Sequence, residues 1–337
     1  MRLVYFGNKL AIHGRSKSVL ETLVPLLNEF CEVKSYSNKR NQYFRLFDMI
    51  WHFFTKGLRS DLIMIDVYST KNFYFAYILA CLSSIFNKPF ILFLHGGNLP
   101  ERYSRSKTKV DYIFRRARSI VAPSGYLKTF FETNGYQVTL IPNLIDLEKF
   151  QFLHREFSTP RLLYLRGFGK IYNPLMNVRA VAELLAEYPG IRLAMLGSDI
   201  DGYLEKTHQL IDHLQLGKQV EILGKKTQED WIELSKNFNI MVSSPLIDNT
   251  PVSVIEGMAL GLAVISTNVG GVKYLIDNKV NGILIPSDDD KALANAIREL
   301  LSDAGLVNCL IRNAREKAES FSWIKIRPAW EELLLNY

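Results

Sequence analysis

The chain has 337 residues, of which 48% are hydrophobic and 22% charged, with a formal net charge of +7. At roughly 100–200 residues per domain this predicts two domains, and with only 20 Gly and 12 Pro it excludes disordered, collagenous and low-complexity classes. Cys31, Cys81 and Cys309 form no CxxC or Cys/His cluster, which argues against a zinc site or disulfide framework and fits a reducing compartment.

The first half reads as strands alternating with helices. Strands are predicted at residues 3–6, 33–36, 61–67, 90–94, 119–122 and 138–141, with helices at 18–30, 73–86 and 112–116. Continuous apolar strands between helices indicate a parallel sheet covered on both faces. The second half repeats the grammar. Strands are predicted at 161–165, 191–196, 220–223, 240–242 and 263–266, and helices at 176–187, 204–214, 229–236, 252–260 and 291–301. Two doubly wound domains are expected, 1–150 and 151–321, joined near 146–159 before Pro160. Ligands of such sheets bind at strand C-terminal ends, so a function is expected in a cleft between the domains. The N-terminus enters a strand at once, with no signal peptide. The longest apolar run, 73–86, is shorter than the roughly 20 residues needed to span a bilayer.

Charge is unevenly placed. Residues 1–150 hold 21 Lys+Arg and 11 Asp+Glu, a balance of +10, whereas 151–337 hold 20 and 23, a balance of −3. The densest basic stretch is Arg102, Arg105, Lys107, Lys109, Arg115, Arg116 and Arg118. Such a field attracts an anionic partner, or is a solvated helix face. The segment Tyr43, Phe44, Phe47, Trp51, Phe53 and Phe54, with Arg45, Lys56 and Arg59, either packs into the first domain, or lies at a membrane interface or grips a lipid-linked acceptor.

Residues 243–261 run from a strand through a loop into a short helix opened by Pro251, a residue suited to the first helical turn. The amides and dipole of that helix N-terminus suit an anion such as a diphosphate. Asp248 and Glu256 bracket it. Carboxylates there would repel phosphate unless they point at hydroxyls, as a sugar or ribose supplies. The bland alternative is a helix cap at Asp248 and a surface residue at Glu256. Asp199-Ile200-Asp201 spells the Asp-x-Asp of metal-dependent transferases of another fold, but it follows a strand of the second domain, where metal binding is not expected. Asp288-Asp289-Asp290 is read as the cap of the helix at 291.

Asp248-x7-Glu256, Glu256-Gly257-Met258-Ala259-Leu260-Gly261, Gly270-Gly271 and Asn281-Gly282 together resemble the signature of retaining glycosyltransferases of family 4. That family has the GT-B fold, an α/β architecture of two Rossmann-like doubly wound domains facing a central cleft. The resemblance covers most of 90–337 and more weakly 1–90. Asp248 stands where the family usually has Glu, and Asn249-Thr250-Pro251 replaces Gly-Phe-Gly. The resemblance implies that His95, in His95-Gly96-Gly97, contacts the donor sugar. It implies that Arg166 and Lys170 hold the donor diphosphate, although Ile171 follows Lys170 where the family has Gly. Gly7 and Gly14 match its N-terminal glycine loop, where acceptor or donor phosphate approaches. Pro142-Asn143-Leu144-Ile145-Asp146 resembles its interdomain segment. The stretch 321–335 resembles its last helix, so that 322–337 completes the first domain.

The implied activity is metal-independent, retaining transfer from a nucleoside-diphosphate sugar, with UDP the default base and no cofactor. Arg166, Lys170 and the amides of Asn249, Thr250 and Val252 beside Pro251 would bind the donor. Glu256 would take the ribose, and Asp248 and His95 would orient the sugar. The expected acceptor is a saccharide, lipid-linked, at the inner membrane face, as in bacterial surface polysaccharide assembly. That places the chain in the cytoplasm, peripheral on an anionic membrane through the first domain. Alternatives are a non-catalytic GT-B partner subunit and a nucleotide-sugar epimerase. No recognised motif supports nucleic-acid binding.

Overall fold

The structure, a computed structural model, describes residues 1–13 and 17–335. The chain divides into two compact units, one of 1–144 with 323–337 and one of 145–322. The division thus falls after Leu144, six residues before the expected join at 150/151. Within the second unit the ends of both crossings lie side by side, since Ile145 bridges Ser322 and donates its N–H to the Phe321 carbonyl at 3.0 Å.

The first unit contains β1 (Arg2–Phe6), α1 (Val19–Leu27), β2 (Glu32–Tyr36), α2 (Gln42–Thr55), β3 (Leu62–Tyr68), α3 (Phe73–Ile85), β4 (Phe90–His95), α4 (Leu99–Arg105), α5 (Lys107–Phe114), β5 (Ser119–Ala122), α6 (Gly125–Thr133) and β6 (Thr139–Leu140). Its strands form an all-parallel sheet in the order β2-β1-β3-β4-β5-β6. Every residue of β4 is buried, as an unbroken apolar strand in a parallel sheet requires. A capping box starts α1: Ser18 Oγ accepts the Glu21 N–H while the Glu21 carboxylate accepts the Ser18 N–H at 2.9 Å.

The second unit contains β7 (Arg161–Leu165), α7 (Pro174–Leu184), β8 (Arg192–Leu196), α8 (Tyr203–His213), β9 (Val220–Gly224), α9 (Gln228–Ser235), β10 (Ile240–Ser243), α10 (Val252–Ala259), β11 (Ala263–Thr267), β12 (Ile283–Ile285), α11 (Asp290–Ser302) and α12 (Ala304–Glu319). Its parallel sheet has the order β12-β11-β10-β7-β8-β9. The chain then ends in α13 (Trp323–Leu335), which belongs to the first unit. There Trp330 is fully buried against the edge of Phe93, and Arg327 pairs with Glu29 at 2.9 Å.

The helix expected at 112–116 begins earlier, at Lys107, and ends at Phe114 with Arg115 as its cap. Helices α2, α4, α6 and α12 were not among the expected elements. In α2 the aromatic residues lie on both its buried and its outer face, so its most apolar stripe is not the one that faces the core.

Candidate functional site

Each sheet reverses its winding direction at one point, and open parallel sheets bind ligands beyond the strand ends there. In the second unit that point lies between β7 and β10, which pair through Leu162 and Ile240. Arg166 follows β7 directly, and the loop carrying Asp248 follows β10. The switch point therefore brings them together: the Arg166 guanidinium forms an ion pair with the Asp248 carboxylate, both side chains being largely buried. Arg166 also lies 5.1 Å from the Tyr172 ring centroid. Burial pulls the Arg166 pKa down, but Asp248 and the neighbouring Tyr172 and Tyr164 outweigh it, and the group stays firmly charged. Its buried Nε has no hydrogen-bond partner among the described residues.

Glu256 projects from α10 into the same electrostatic neighbourhood. Burial pushes its carboxyl up to about 7, against the pull of a 3.0 Å hydrogen bond from Gln228 and the charge of Arg166. A carboxyl balanced there can be neutral near pH 7 and ionise when hydroxyl donors arrive. Pro251 is the N-cap of α10, and a proline has no side-chain oxygen with which to cap the helix. The Val254 N–H already donates to the Pro251 carbonyl at 3.0 Å, so the earlier amides of the turn are the ones an anion would meet.

The loop from Ser244 to Pro251 is held from several sides. Ser244 Oγ donates to the Tyr172 and Asn173 carbonyls at 3.0 Å and accepts from Asn177 Nδ2 at 2.7 Å. The Leu246 N–H donates to the Ile171 carbonyl at 2.7 Å, and Thr267 Oγ1 donates to the Pro245 carbonyl at 2.6 Å. The Asp248 carboxylate accepts the Asn249 N–H at 2.8 Å. Gly270-Gly271 closes the arrangement. A Cβ on Gly270, whose φ is +51°, would lie 2.1 Å from the Asp248 carbonyl oxygen, and one on Gly271 would lie 1.8 Å from that of Asn249. The glycine pair thus lets two backbones touch, and the touching fixes where Asp248 sits.

Lys170 is exposed, in a short turn after Gly169, and its backbone N–H donates to the Asp201 carboxylate at 3.1 Å. The second aspartate of Asp199-Ile200-Asp201 therefore holds the Lys170 turn. Asp199 accepts the Gly202 and Leu204 N–H groups at the start of α8. Among the described residues, no group of three or more His, Cys, Asp or Glu side chains is placed to hold a metal ion. The glycines of Gly167-Phe168-Gly169 face Ile200, whose Cδ1 lies 2.6 Å from where a Gly167 Cβ would be. Asp289 caps α11 by accepting the Ala292 N–H at 2.8 Å, while Asp288 and Asp290 pair with Arg179.

His95 and Gly7 belong to the first unit. There the winding reverses between β1 and β3. His95, at the end of β4, is buried with Nε2 2.8 Å from Asp66 Oδ1, and its ring stacks on Tyr68. Asp66 also accepts the Tyr5 hydroxyl at 2.6 Å and the Tyr68 hydroxyl at 3.0 Å. Burial and the Asp66 charge hold both phenols well above their usual range. A Cβ on Gly7 would lie 2.2 Å from Asp66 Oδ2, so Gly7 gives this carboxylate its room. Asp66, Tyr5 and Tyr68 were absent from the sequence reading. The signal was a single acidic residue inside the apolar strand Leu62–Tyr68. Gly14 lies outside the described residues.

The dense basic stretch of α4 and α5 is engaged locally. Arg105 pairs with Glu101 and Lys107 with Asp111. Arg102 donates to the Ser69 carbonyl, and Lys109, Arg115 and Arg116 lie over tyrosine rings. No helix among the described residues is long and apolar enough to cross a membrane.

Residues 148–317, half of the chain, match the family model described as glycosyl transferases group 1, and the chain belongs to that family. A glycosyltransferase of Methanocaldococcus jannaschii, MJ1178, is 24% identical over 263 residues, covering 75% of this chain and 71% of its own. A Campylobacter jejuni α-1,4-N-acetyl-D-galactosaminyltransferase, named for a saccharide acceptor on undecaprenyl diphosphate, is 24% identical over 285 residues, covering 83% of this chain and 76% of its own. A D-inositol 3-phosphate glycosyltransferase of Salinispora tropica is 26% identical over 240 residues, 68% of this chain, but the match spans only 46% of that protein. Several first-ranking curated relatives are likewise spanned over about half their length. Among solved structures, Anabaena HepE in complex with UDP superposes with a TM-score of 0.83 at 17% identity, over 100% of both chains. Sucrose-phosphate synthase from Thermosynechococcus elongatus does so at 0.80 and 17%, over 100% of this chain and 98% of its own. The fold is that of the GT-B glycosyltransferases.

Proposed function

We propose that the chain transfers a sugar, with retention of anomeric configuration, from a nucleoside-diphosphate sugar to a lipid-linked saccharide. The observation that carries the reading is the convergence of Arg166, Asp248 and Glu256 with the N-terminus of α10 at the switch point of the second sheet. Arg166, Lys170 and the amides of Thr250 and Val252 stabilise the departing diphosphate, a role for fixed cations and dipoles, and the Asn249 N–H joins them once it leaves the Asp248 carboxylate. Arg166 keeps its unpartnered Nε for a phosphate oxygen while Asp248 holds its other edge. Glu256 accepts the ribose hydroxyls as a carboxylate, and Asp248 accepts from the donor sugar. His95, oriented by Asp66, is assigned to the donor sugar on the family resemblance of His95-Gly96-Gly97. The cationic work falls to side chains, and the aspartates of Asp199-Ile200-Asp201 support backbone turns, so the transfer is assigned without a metal.

UDP is the favoured base because HepE was solved with UDP and with UDP-glucose. The lipid-linked acceptor is favoured because the Campylobacter relative is named for one. The role that follows is surface polysaccharide assembly on the cytoplasmic face of a membrane. The test is a thermal-shift panel of UDP, GDP, ADP and dTDP with and without magnesium, followed by transfer from the stabilising nucleotide's sugars to polyprenyl-diphosphate acceptors. One nucleotide should stabilise without metal, by about 2.7 kcal/mol at 100 times its dissociation constant, and the product should keep the donor's anomeric configuration. Inversion, or donor turnover without an acceptor, would refute the reading.

A further inference from the structure

Helix α2 carries aromatic residues on two faces. Met49 and Phe53 are buried in the first unit's core, as is the stem of Arg45, which lies over Phe75. On the outer face Tyr43, Phe44, Phe47, Trp51 and Phe54 are 77%, 70%, 69%, 59% and 43% exposed. At 100° per residue these five fall within one stripe along the helix. Phe54 packs edge-on against Phe86, itself exposed at the end of α3, which widens the patch. Isolated exposed apolar residues are ordinary, but a contiguous aromatic stripe marks an interaction surface.

Charge identifies the partner. Lys39 and Arg40 stand exposed before α2, and Lys56 and Arg59 stand exposed after it. Asp48 is the one acidic residue between 37 and 60, and it is held by His52 on the helix flank. A second copy docked face to face by a two-fold axis would bring cations against cations at both ends, in either helix direction. An anionic lipid surface supplies the missing charge. Tyr and Trp beside cations is also the composition of a helix lying at the headgroup boundary.

We infer that the outer face of α2 is a membrane-docking surface, laid in the interface of an anionic bilayer with its aromatic stripe among the acyl chains. The inference deepens the lipid-linked acceptor reading and rests on it for its purpose, while its geometry stands on the first unit alone. It adds a second basic determinant, at the two ends of α2, to that of α4 and α5, where Arg105 and Lys107 are ion-paired.

The test is co-sedimentation of the full chain with vesicles of phosphatidylcholine alone and of phosphatidylcholine mixed with phosphatidylglycerol. The wild type should bind the anionic vesicles at least about tenfold better than the neutral ones, and high salt should remove that preference. F44S/F47S/W51S, which changes only exposed side chains and should melt as the wild type does, should lose at least about tenfold on the anionic vesicles. K39E/R40E/K56E should lose the anionic preference alone. Tryptophan emission should shift to the blue on binding in the wild type and not in W51F. Wild-type protein that binds neither vesicle, or a serine variant that binds as the wild type does, overturns the inference. So does a dimer broken by the serine variant in protein that ignores vesicles. Vesicle binding without transfer to any polyprenyl-diphosphate acceptor supports docking and removes the acceptor reading. Transfer to a short-chain acceptor without vesicle binding does the reverse.

Discussion

The two units share a plan and differ in what they place at its switch point. Counting strands from the start of each unit, the second has the order 3-2-1-4-5-6 and the first 2-1-3-4-5-6. In the second unit the point lies between its first and fourth strands, and the groups there are loop residues: Arg166, Asp248 and, from α10, Glu256. Arg166 is ion-paired with Asp248, and Glu256 accepts from Gln228 at 3.0 Å. In the first unit the point lies between its first and third strands, and Asp66 is built into the strand itself, saturated by Tyr5, Tyr68 and His95. The first arrangement suits holding a charged ligand and the second suits orienting one imidazole. The family match falls wholly inside the second unit, as expected if donor chemistry is shared and the partner-facing unit varies. The same sheet plan therefore does not dictate the chemistry; the residues that follow particular strands do.

The contrast is most sharply broken at Arg166. Arg166→Ala should lower turnover by at least about 100-fold, since it removes a cation from the developing diphosphate charge and leaves Asp248 without its partner. Arg166→Lys should recover only part, because a point charge cannot serve Asp248 and phosphate together. Steady-state kinetics with saturating acceptor checks both. Gly271→Ala should come next. Its Cβ would enter the Asn249 carbonyl, so the loop must move, and donor affinity should fall by about 10- to 100-fold at a stability cost of about 1–3 kcal/mol. Calorimetric titration with UDP, alongside a melting curve, separates the two effects.

Glu256 sets a pH dependence. Its folded pKa, about 7, lies above the ordinary 4.5, so between those values the folded state binds the extra proton. Its contribution to stability therefore falls as pH rises from about 4.5 to 7 and is constant above, by up to about 3 kcal/mol. Donor binding should run the other way. If the ribose takes the carboxylate form, affinity should rise through about pH 7 and then level off. Glu256→Gln should flatten both curves, leaving only the titration of the nucleotide phosphate. The smallest effect is expected in the first unit. Asp66→Asn turns into a donor one of the two acceptor oxygens that between them face three donors, and should cost about 1–3 kcal/mol of stability. Donor affinity should stay within about threefold, and turnover should fall about tenfold. A loss of UDP affinity as large as that of Arg166→Ala would erase the distinction between the units.

The doubly wound architecture was legible because strands such as Ile240–Ser243 and Phe90–His95 are short apolar runs closed by turn residues. The missed helices divide into two kinds. Helix α12 had a readable signal: Asp303 accepts the Leu306 N–H at 2.8 Å, and Val307, Leu310, Ile311, Ala314 and Ala318 recur on one buried face. Helix α2 also had a cap, Asn41 accepting the Tyr43 N–H at 2.9 Å, but its aromatics recur at helical spacing on the exposed face rather than the core face. The grouping of Arg166, Asp248 and Glu256 needed a non-local fact, that β7 and β10 are neighbours although the paired Leu162 and Ile240 lie 78 positions apart, a pairing set by the crossover after β9. Asp66 as the partner of His95 was hidden for the same reason, since β3 and β4 pair in a register that sets Tyr68 beside His95.

The most direct test of the donor site is the affinity of UDP for the wild type and for Arg166→Ala, measured by calorimetry without magnesium. The account predicts binding by the wild type and a loss of at least about tenfold in the variant, with both proteins folded. Equal affinities, or a wild type to which UDP does not bind, would contradict it.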